Sequence, residues 1–230
     1  MKRIIVKNLL IITGASSGIG LACIETFLSK ENLHILAISR NVSEITIQNN
    51  NLYKLNCNVT DYNQLETTLK EYLSNFKIIG LINAAGVVSL GDFPSNHLDS
   101  QKMINVNISG LTNCIELILP VMRKQMYGTI INLSSLADRY PRPNNIVYAA
   151  TKSYVKSISD SLRLQNAKYN IRVVNIAPAL IETPMLTKQF GIKDNLINVN
   201  DFVKIIKFIF DQPQNICIRD IVIAPTNYEG

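Results

Sequence analysis

The stretch that most restricts how this chain can fold is TGASSGIG, Thr13 to Gly20, because of what stands on either side of it. Leu9 to Thr13 form a short apolar run of strand length. Ile19 to Ser29 carry the apolar spacing of an amphipathic helix, so the glycines sit where a strand hands over to a helix. Gly14 permits the tight bend, Gly18 lets a pyrophosphate approach the backbone, and Gly20 lets the helix pack closely on the strand, with the helix N-terminus facing the phosphates. Strand-length runs recur at 8–13, 33–39, 52–57, 78–83, 127–133, 171–177 and 220–224, separated by helical patterns. Right-handed crossovers turn that alternation into an α/β fold, a doubly wound parallel sheet of about seven strands. At 230 residues and 47% hydrophobic, the chain fills one domain over residues 1–230. No glycine, proline or serine-rich linker and no repeat divides it, and the polar patch at Gln48 to Asn51 is too short to do so.

A second feature carries chemistry. In VYAATKSYVKS, Tyr148 and Lys152 stand four residues apart and share one helix face, which lets an ammonium favour the ionised phenol. A free tyrosine titrates at about 10, and bringing it near 7 takes roughly 4 kcal/mol of preferential phenolate stabilisation. That is more than one exposed charge supplies. A desolvated pocket holding both the ammonium and an oxidised nicotinamide ring supplies more. Joined to the glycine turn, the pair points to dinucleotide-dependent carbonyl chemistry.

Other function classes find little support. Met1, Lys2 and Arg3 followed by Ile4 to Val6 imitate a secretory signal, but Lys7 and Asn8 break the run, and cleavage after Leu9 to Ile12 would destroy the turn. No segment approaches the ~18 apolar residues of a membrane helix. Cys23, Cys57, Cys114 and Cys217 are far apart and read as reduced residues of a cytoplasmic protein. His34 falls in an expected strand and His97 near a helix start, and with no further histidine a metal site is not expected. The net charge of +6 comes from scattered lysines with no interleaved aromatic run, so nucleic acid is not an expected partner. A positive field suits a polyanionic cofactor.

The spacing Gly-x-x-x-Gly-x-Gly, with the motifs that follow it, resembles the short, single-domain branch of the short-chain dehydrogenase/reductase family over nearly the whole chain. TGASSGIG looks like that family's cofactor turn, and Asn83, Ala84, Ala85 and Gly86 look like its Asn-Asn-Ala-Gly motif with Ala84 in place of the second Asn. Asn107 in NVNISG matches the helix asparagine of the catalytic tetrad. Ser135 precedes Tyr148 by the 13 residues the family uses, so it is carried over as the catalytic serine in preference to Ser134. Pro178 and Thr183 in PALIET resemble the segment beside the nicotinamide. The resemblance implies a Rossmann-type fold and the tetrad Asn107, Ser135, Tyr148 and Lys152. It also implies cofactor contacts from Gly14, Ser16, Ser17, Gly18, Ile19, Gly20, Asn58, Val59, Asn83, Ala84, Ala85, Gly86, Tyr148, Lys152, Pro178, Ile181 and Thr183. Three departures stand out: Asn58 where an Asp often touches adenine, Ala179 for a Gly, and Asp138 for a frequent Gly, the last expected to put a carboxylate near the pocket mouth.

At the end of the second strand an acidic residue would hold a ribose 2′-hydroxyl, but Ser39, Arg40 and Asn41 stand there. Arg40 can pair with a 2′-phosphate, a bond worth roughly 1.5 to 3 kcal/mol, so NADP is favoured over NAD. The roles follow for reduction of a carbonyl: Tyr148 gives a proton to the oxygen, Ser135 orients it, and Lys152 tunes Tyr148 and, by resemblance, contacts the ribose, with Asn107 holding a water beside it. Substrate-lining residues are expected after Gly86, over Leu136 to Val147, and in a lid from about Pro184 to Ile197. The C-terminal IVIAPT resembles reductases acting on small 3-hydroxy acids, which suggests a ketone or 3-oxo acid, and Arg139 and Arg142 are either carboxylate partners or solvated loop residues. A non-catalytic NADP-binding sensor is the competing function. By resemblance the Asn107 and Tyr148 helices pair in a homodimer or homotetramer, through Ile115, Leu119, Val155, Ile158 and Leu162 if their faces turn outward.

Overall fold

The computed structural model describes residues 7–94, 96–192 and 194–228, so the stretch weighed above as a signal, Met1 to Val6, lies outside the described residues. Seven strands form one sheet: β1 (Asn8–Thr13), β2 (Leu33–Ser39), β3 (Leu52–Asn56), β4 (Lys77–Asn83), β5 (Gly128–Leu133), β6 (Ile171–Pro178) and β7 (Asp220–Ile223). Their order is β3-β2-β1-β4-β5-β6-β7, and every pairing is parallel. The order reverses between β1 and β4, which opens a crevice at the carboxyl ends of the strands, where such sheets bind ligands.

Alternation along the strands builds two cores. On β1, Leu10 and Ile12 face the layer of α1 (Gly18–Phe27) and α6 (Val199–Asp211), while Leu9 and Ile11 face α2 (Tyr62–Asn75), α4 (Leu111–Gln125) and α5 (Ile146–Asn166). All four are fully buried, and each such side chain contributes about 1.5–3 kcal/mol. A fourth helix on that second side, α3 (His97–Ile104), packs against α5 and leads through a π-helical turn at Asn105–Gly110 into α4.

Two expectations change here, and one departure is resolved. His97 to Gln125 is long enough and, at a hydropathy of 1.3, apolar enough to cross a membrane, although no run of consecutive apolar residues announced it. Its apolar residues are interrupted by polar ones and bury Met103, Leu111, Cys114, Ile115, Ile118, Leu119 and Met122 inward, the pattern of a core helix. Ile115, Leu119 and Val155 do not face outward: they are buried in the chain's own second core, with Ile158 and Leu162 half-buried against it. Ala179 is not among the residues with positive φ, so replacing a glycine there costs no backbone strain.

Candidate active site

The glycine turn closes on itself as its spacing requires. Gly14 has φ +65, and a Cβ there would meet the backbone of Ala84 and Ala85 at 2.7 Å. A Cβ on Gly20 would strike the Gly14 carbonyl at 2.3 Å, so Gly20 holds α1 against the turn and does not line the cleft. Gly18, at φ +52, faces Thr183. Ser17 enters α1 in an extended conformation without a side-chain cap, which leaves the first N–H groups of the helix for an acceptor in the cleft. The Ser39 hydroxyl donates to Ser16 Oγ at 2.8 Å and so ties the end of β2 to the turn. Arg40 is exposed beside them and, among the described residues, has no ion-pair partner. Asn58 and Val59 line the far wall, and the Asn58 side-chain carbonyl already accepts from the Thr60 N–H at 3.2 Å.

Adjoining this cleft is a cavity of about 380 Å³, and the two share Ile19, Ala84, Gly86, Val87, Thr183 and Met185. Ser135, Tyr148, Lys152, Pro178 and Ile181 line it. Ser135, at the end of β5, caps a short 3-10 turn (Leu136–Asp138) by accepting from the Ala137 N–H at 3.2 Å. Its side chain also acts on the phenol of Tyr148, favouring the ionised form. Lys152 lies one helical turn beyond Tyr148, its Nζ 5.6 Å from the ring centroid and donating to the Leu133 carbonyl at 2.9 Å.

Burial governs both titrating groups. It draws the Lys152 ammonium down to about 8, against a smaller upward pull from Asp138. It pushes the Tyr148 phenol up, offset in part by the hydrogen bond from Ser135 and reinforced by Asp138. Lys152 is not among the groups that move the phenol here: its ammonium donates to Leu133, and burial sets the direction.

Two of the carried-over residues sit behind the cleft. Asn107 lies in the π-helical turn, accepting from the Val87 N–H at 2.8 Å and donating to the Val87 carbonyl at 2.9 Å and to Thr151 Oγ1 at 3.0 Å. A Cβ built on Gly86 would lie 3.5 Å from Asn107 Oδ1 and 3.7 Å from Lys152 Nζ, so the two side chains converge on the open space at Gly86. Asn83 turns into the sheet, donating to Asn132 at 2.8 Å, and Asn132 donates in turn to Ser159 at 2.9 Å. Asn83 thus braces β4, and the neighbouring Ala84, Ala85 and Gly86 line the cleft.

Asp138 does not stand near the pocket mouth. Its side chain is fully buried beneath the serine turn, accepting from Ser134 Oγ at 2.8 Å, Asn175 at 3.1 Å and Arg139 Nε at 2.6 Å. Arg139 reaches on to Asp220 with two bonds, at 2.9 and 3.0 Å, and is held in ion pairs at the partly open edge of the turn, not in the cavity wall. Arg142 does line the cavity, its guanidinium donating to the Tyr228 hydroxyl at 2.9 Å. The expected lid contributes Met185, Leu186, Phe190 and Ile192, and Gln189 reaches across to the Val88 carbonyl at 3.2 Å. No pattern in the chain pointed to Tyr228 or to this crossing, whereas Thr151, three residues after Tyr148 on the same helix, was open to inference from spacing. His34 packs in β2, stacked on Tyr53 and edge-on to Phe76.

A parallel sheet with a glycine turn at its switch point, opening into a cavity that holds a serine, a tyrosine and a lysine, defines a dinucleotide-binding oxidoreductase. Residues 8–192 match the family model for short chain dehydrogenase. The chain belongs to the short-chain dehydrogenase family and is an NAD(P)-dependent oxidoreductase. It is 31% identical over 226 residues to an oxidoreductase of Staphylococcus epidermidis, covering 95% of this chain and 97% of that one. It is 30% identical over 236 residues to a serine 3-dehydrogenase of Agrobacterium fabrum, covering 95% and 94%. Among solved structures, ElxO with NADP bound superposes with a TM-score of 0.84 at 25% identity, covering 95% of this chain and 97% of that one.

Proposed function

We propose that this oxidoreductase uses NADP and interconverts a small 3-oxo acid and its 3-hydroxy acid. The observation that carries the reading is the continuity of the two spaces: the cleft along the glycine turn opens, past Gly86 and Thr183, onto the Ser135 and Tyr148 hydroxyls. The uncapped start of α1 fits the phosphates, and Arg40, without an ion-pair partner among the described residues, fits a 2′-phosphate. A bound nicotinamide would supply or accept the hydride and, when oxidised, would bring a positive charge to the site. During reduction Tyr148 donates its phenolic proton to the carbonyl oxygen on which negative charge grows, and Ser135 holds that oxygen by a hydrogen bond. Lys152, held by Leu133, keeps a positive charge within reach of the phenolate left behind.

Among the described residues, none of those lining the cavity is acidic, and most of its wall is aliphatic. Arg142 stands at its rim, so an anionic end on the substrate has a partner there while a short apolar body fills the middle. The kinship with a serine 3-dehydrogenase supports a substrate of this class. Four free cysteines, three of them buried, support a reducing, cytoplasmic setting.

A spectrophotometric panel of NADPH with 3-oxo acids, matched neutral ketones and aldehydes tests the reading. Turnover should favour the acids, and Arg142→Ala should erase that preference by raising KM for the acids alone. Arg40→Ala should raise KM for NADPH at least about tenfold more than that for NADH. Tyr148→Phe should lower turnover by about 100-fold or more with little change in NADPH binding. Binding of NADPH without turnover on the whole panel would favour a sensor.

A further inference from the structure

The buried carboxylate of Asp138 beneath the serine turn, joined to the more open Arg139 and Asp220, has no part in the chemistry derived so far. Asp138 Oδ2 accepts from Ser134 Oγ at 2.8 Å, Asn175 Nδ2 at 3.1 Å and Arg139 at 3.3 Å, and Oδ1 accepts from Arg139 Nε at 2.6 Å. Every polar neighbour donates, the arrangement a carboxylate takes. Asn175, on β6, also donates to Asp220 at 2.9 Å, and Arg139 forks onto the same Asp220 on β7. Two carboxylates therefore share one guanidinium, leaving one negative charge in excess.

That excess sits against the catalytic groups. Ser134 Oγ lies within hydrogen-bonding distance of both Asp138 and the backbone carbonyl of Lys152, the latter at 3.1 Å. Ser153 donates to the Asp138 carbonyl at 3.0 Å, and the Asp138 N–H donates to the carbonyl of Ser135 at 2.9 Å. The carboxylate is thus fastened at once to the serine turn and to the helix that carries Tyr148 and Lys152.

We propose that Asp138 is a positioning residue whose buried carboxylate, only partly neutralised by Arg139, keeps one excess negative charge beneath Tyr148 and Lys152 and so fixes the pH window in which the site works. The proposal rests on the assignment of Tyr148 as the proton donor. The charged groups that face the network are Arg139 on its own turn, Asp220 on β7, and Tyr148 and Lys152 on α5, with Lys156 of α5 acting on Asp220. The direction agrees with the electrostatics: Asp138 raises both Tyr148 and Lys152, opposing loss of a proton from either.

Tyrosinate absorbance, titrated with NADP+ present and taken as the difference from a matched Tyr148→Phe protein, isolates the ionisation of Tyr148. Asp138→Asn keeps the shape and removes the charge, and should lower that midpoint by about one pH unit, the lower end of the range for a nearby like charge. Arg139→Gln leaves two uncompensated carboxylates and should raise it. Asp220→Asn spares Asp138 and its hydrogen bonds, and should lower the midpoint by less, which keeps the test alive if Asp138→Asn folds poorly. The pH profile of kcat/KM for alcohol oxidation should move with the spectra. A purely structural Asp138 would lower activity in all three variants without shifting the midpoints in opposite directions. Coincident midpoints, or shifts of one sign in Asp138→Asn and Arg139→Gln, overturn the proposal. Opposed spectral shifts in a protein that turns over no alcohol would show the Asp138 charge acting on Tyr148 while overturning both the function proposed above and the working pH window drawn from it.

Discussion

Lys152 shows what a catalytic position costs a fold. Its buried ammonium is drawn from 10.5 to about 8, and that displacement corresponds to about 3 kcal/mol of disfavoured charge. The folded value lies below the unfolded one, so between pH 8 and pH 10.5 the unfolded chain binds more protons, and the Lys152 contribution makes the protein more stable as pH rises through that window. Lys152→Met should therefore be more stable than the parent at pH 7, by up to about 2 kcal/mol once the lost bond to Leu133 is subtracted. The gain should vanish by about pH 10.5. Urea unfolding of the cofactor-free proteins at both pH values checks it. At this scale, the shared helix face of Tyr148 and Lys152 could be read from their spacing, while Ser135 came from the family resemblance, and the three line one cavity. Asp138 could not: whether a loop carboxylate meets water or folds under is decided by Asn175, 37 residues on, and by the partner that Arg139 finds 81 residues away.

Among the elements, β6 and α6 are joined by one buried guanidinium. Arg172 donates to Thr129 Oγ1 at 2.8 and 3.0 Å, and to the carbonyls of Phe210, Gln212 and Ile216 at 2.9, 2.8 and 3.2 Å, gathering the last carbonyls of α6 and the chain beyond it. Arg172→Ala leaves these acceptors buried without their donor, and should cost at least about 3 kcal/mol, seen as a lower urea midpoint, with Arg172→Lys recovering part of it. The strands were legible because apolar runs of strand length recur between helical patterns. The π-helical turn at Asn105–Gly110 was not, since a widened turn has the same composition as the helix around it. What distinguishes it is the pull of Val87 and Thr151 on Asn107, which only the folded chain brings near.

Taken whole, the molecule leaves Leu117, Val121, Tyr154, Ile158 and Leu162 half-buried against the second core and Leu164 exposed on α5. This narrower apolar strip, with Ile115, Leu119 and Val155 withdrawn into the chain's own interior, is the surface we propose for pairing into a dimer or tetramer. Light scattering at micromolar concentration should return a multiple of 25.7 kDa, and a value near 25.7 kDa itself would refute the pairing. The lid adds a last property of the assembly as a machine. Its bond across the cleft, from Gln189 to Val88, is exposed, and one such bond shifts an equilibrium by about 1 kcal/mol, or roughly fivefold. A tie that light can only trim the traffic through the doorway, so Gln189→Ala should change the KM for substrate by no more than about fivefold and leave the pH profile of the chemistry behind it unmoved.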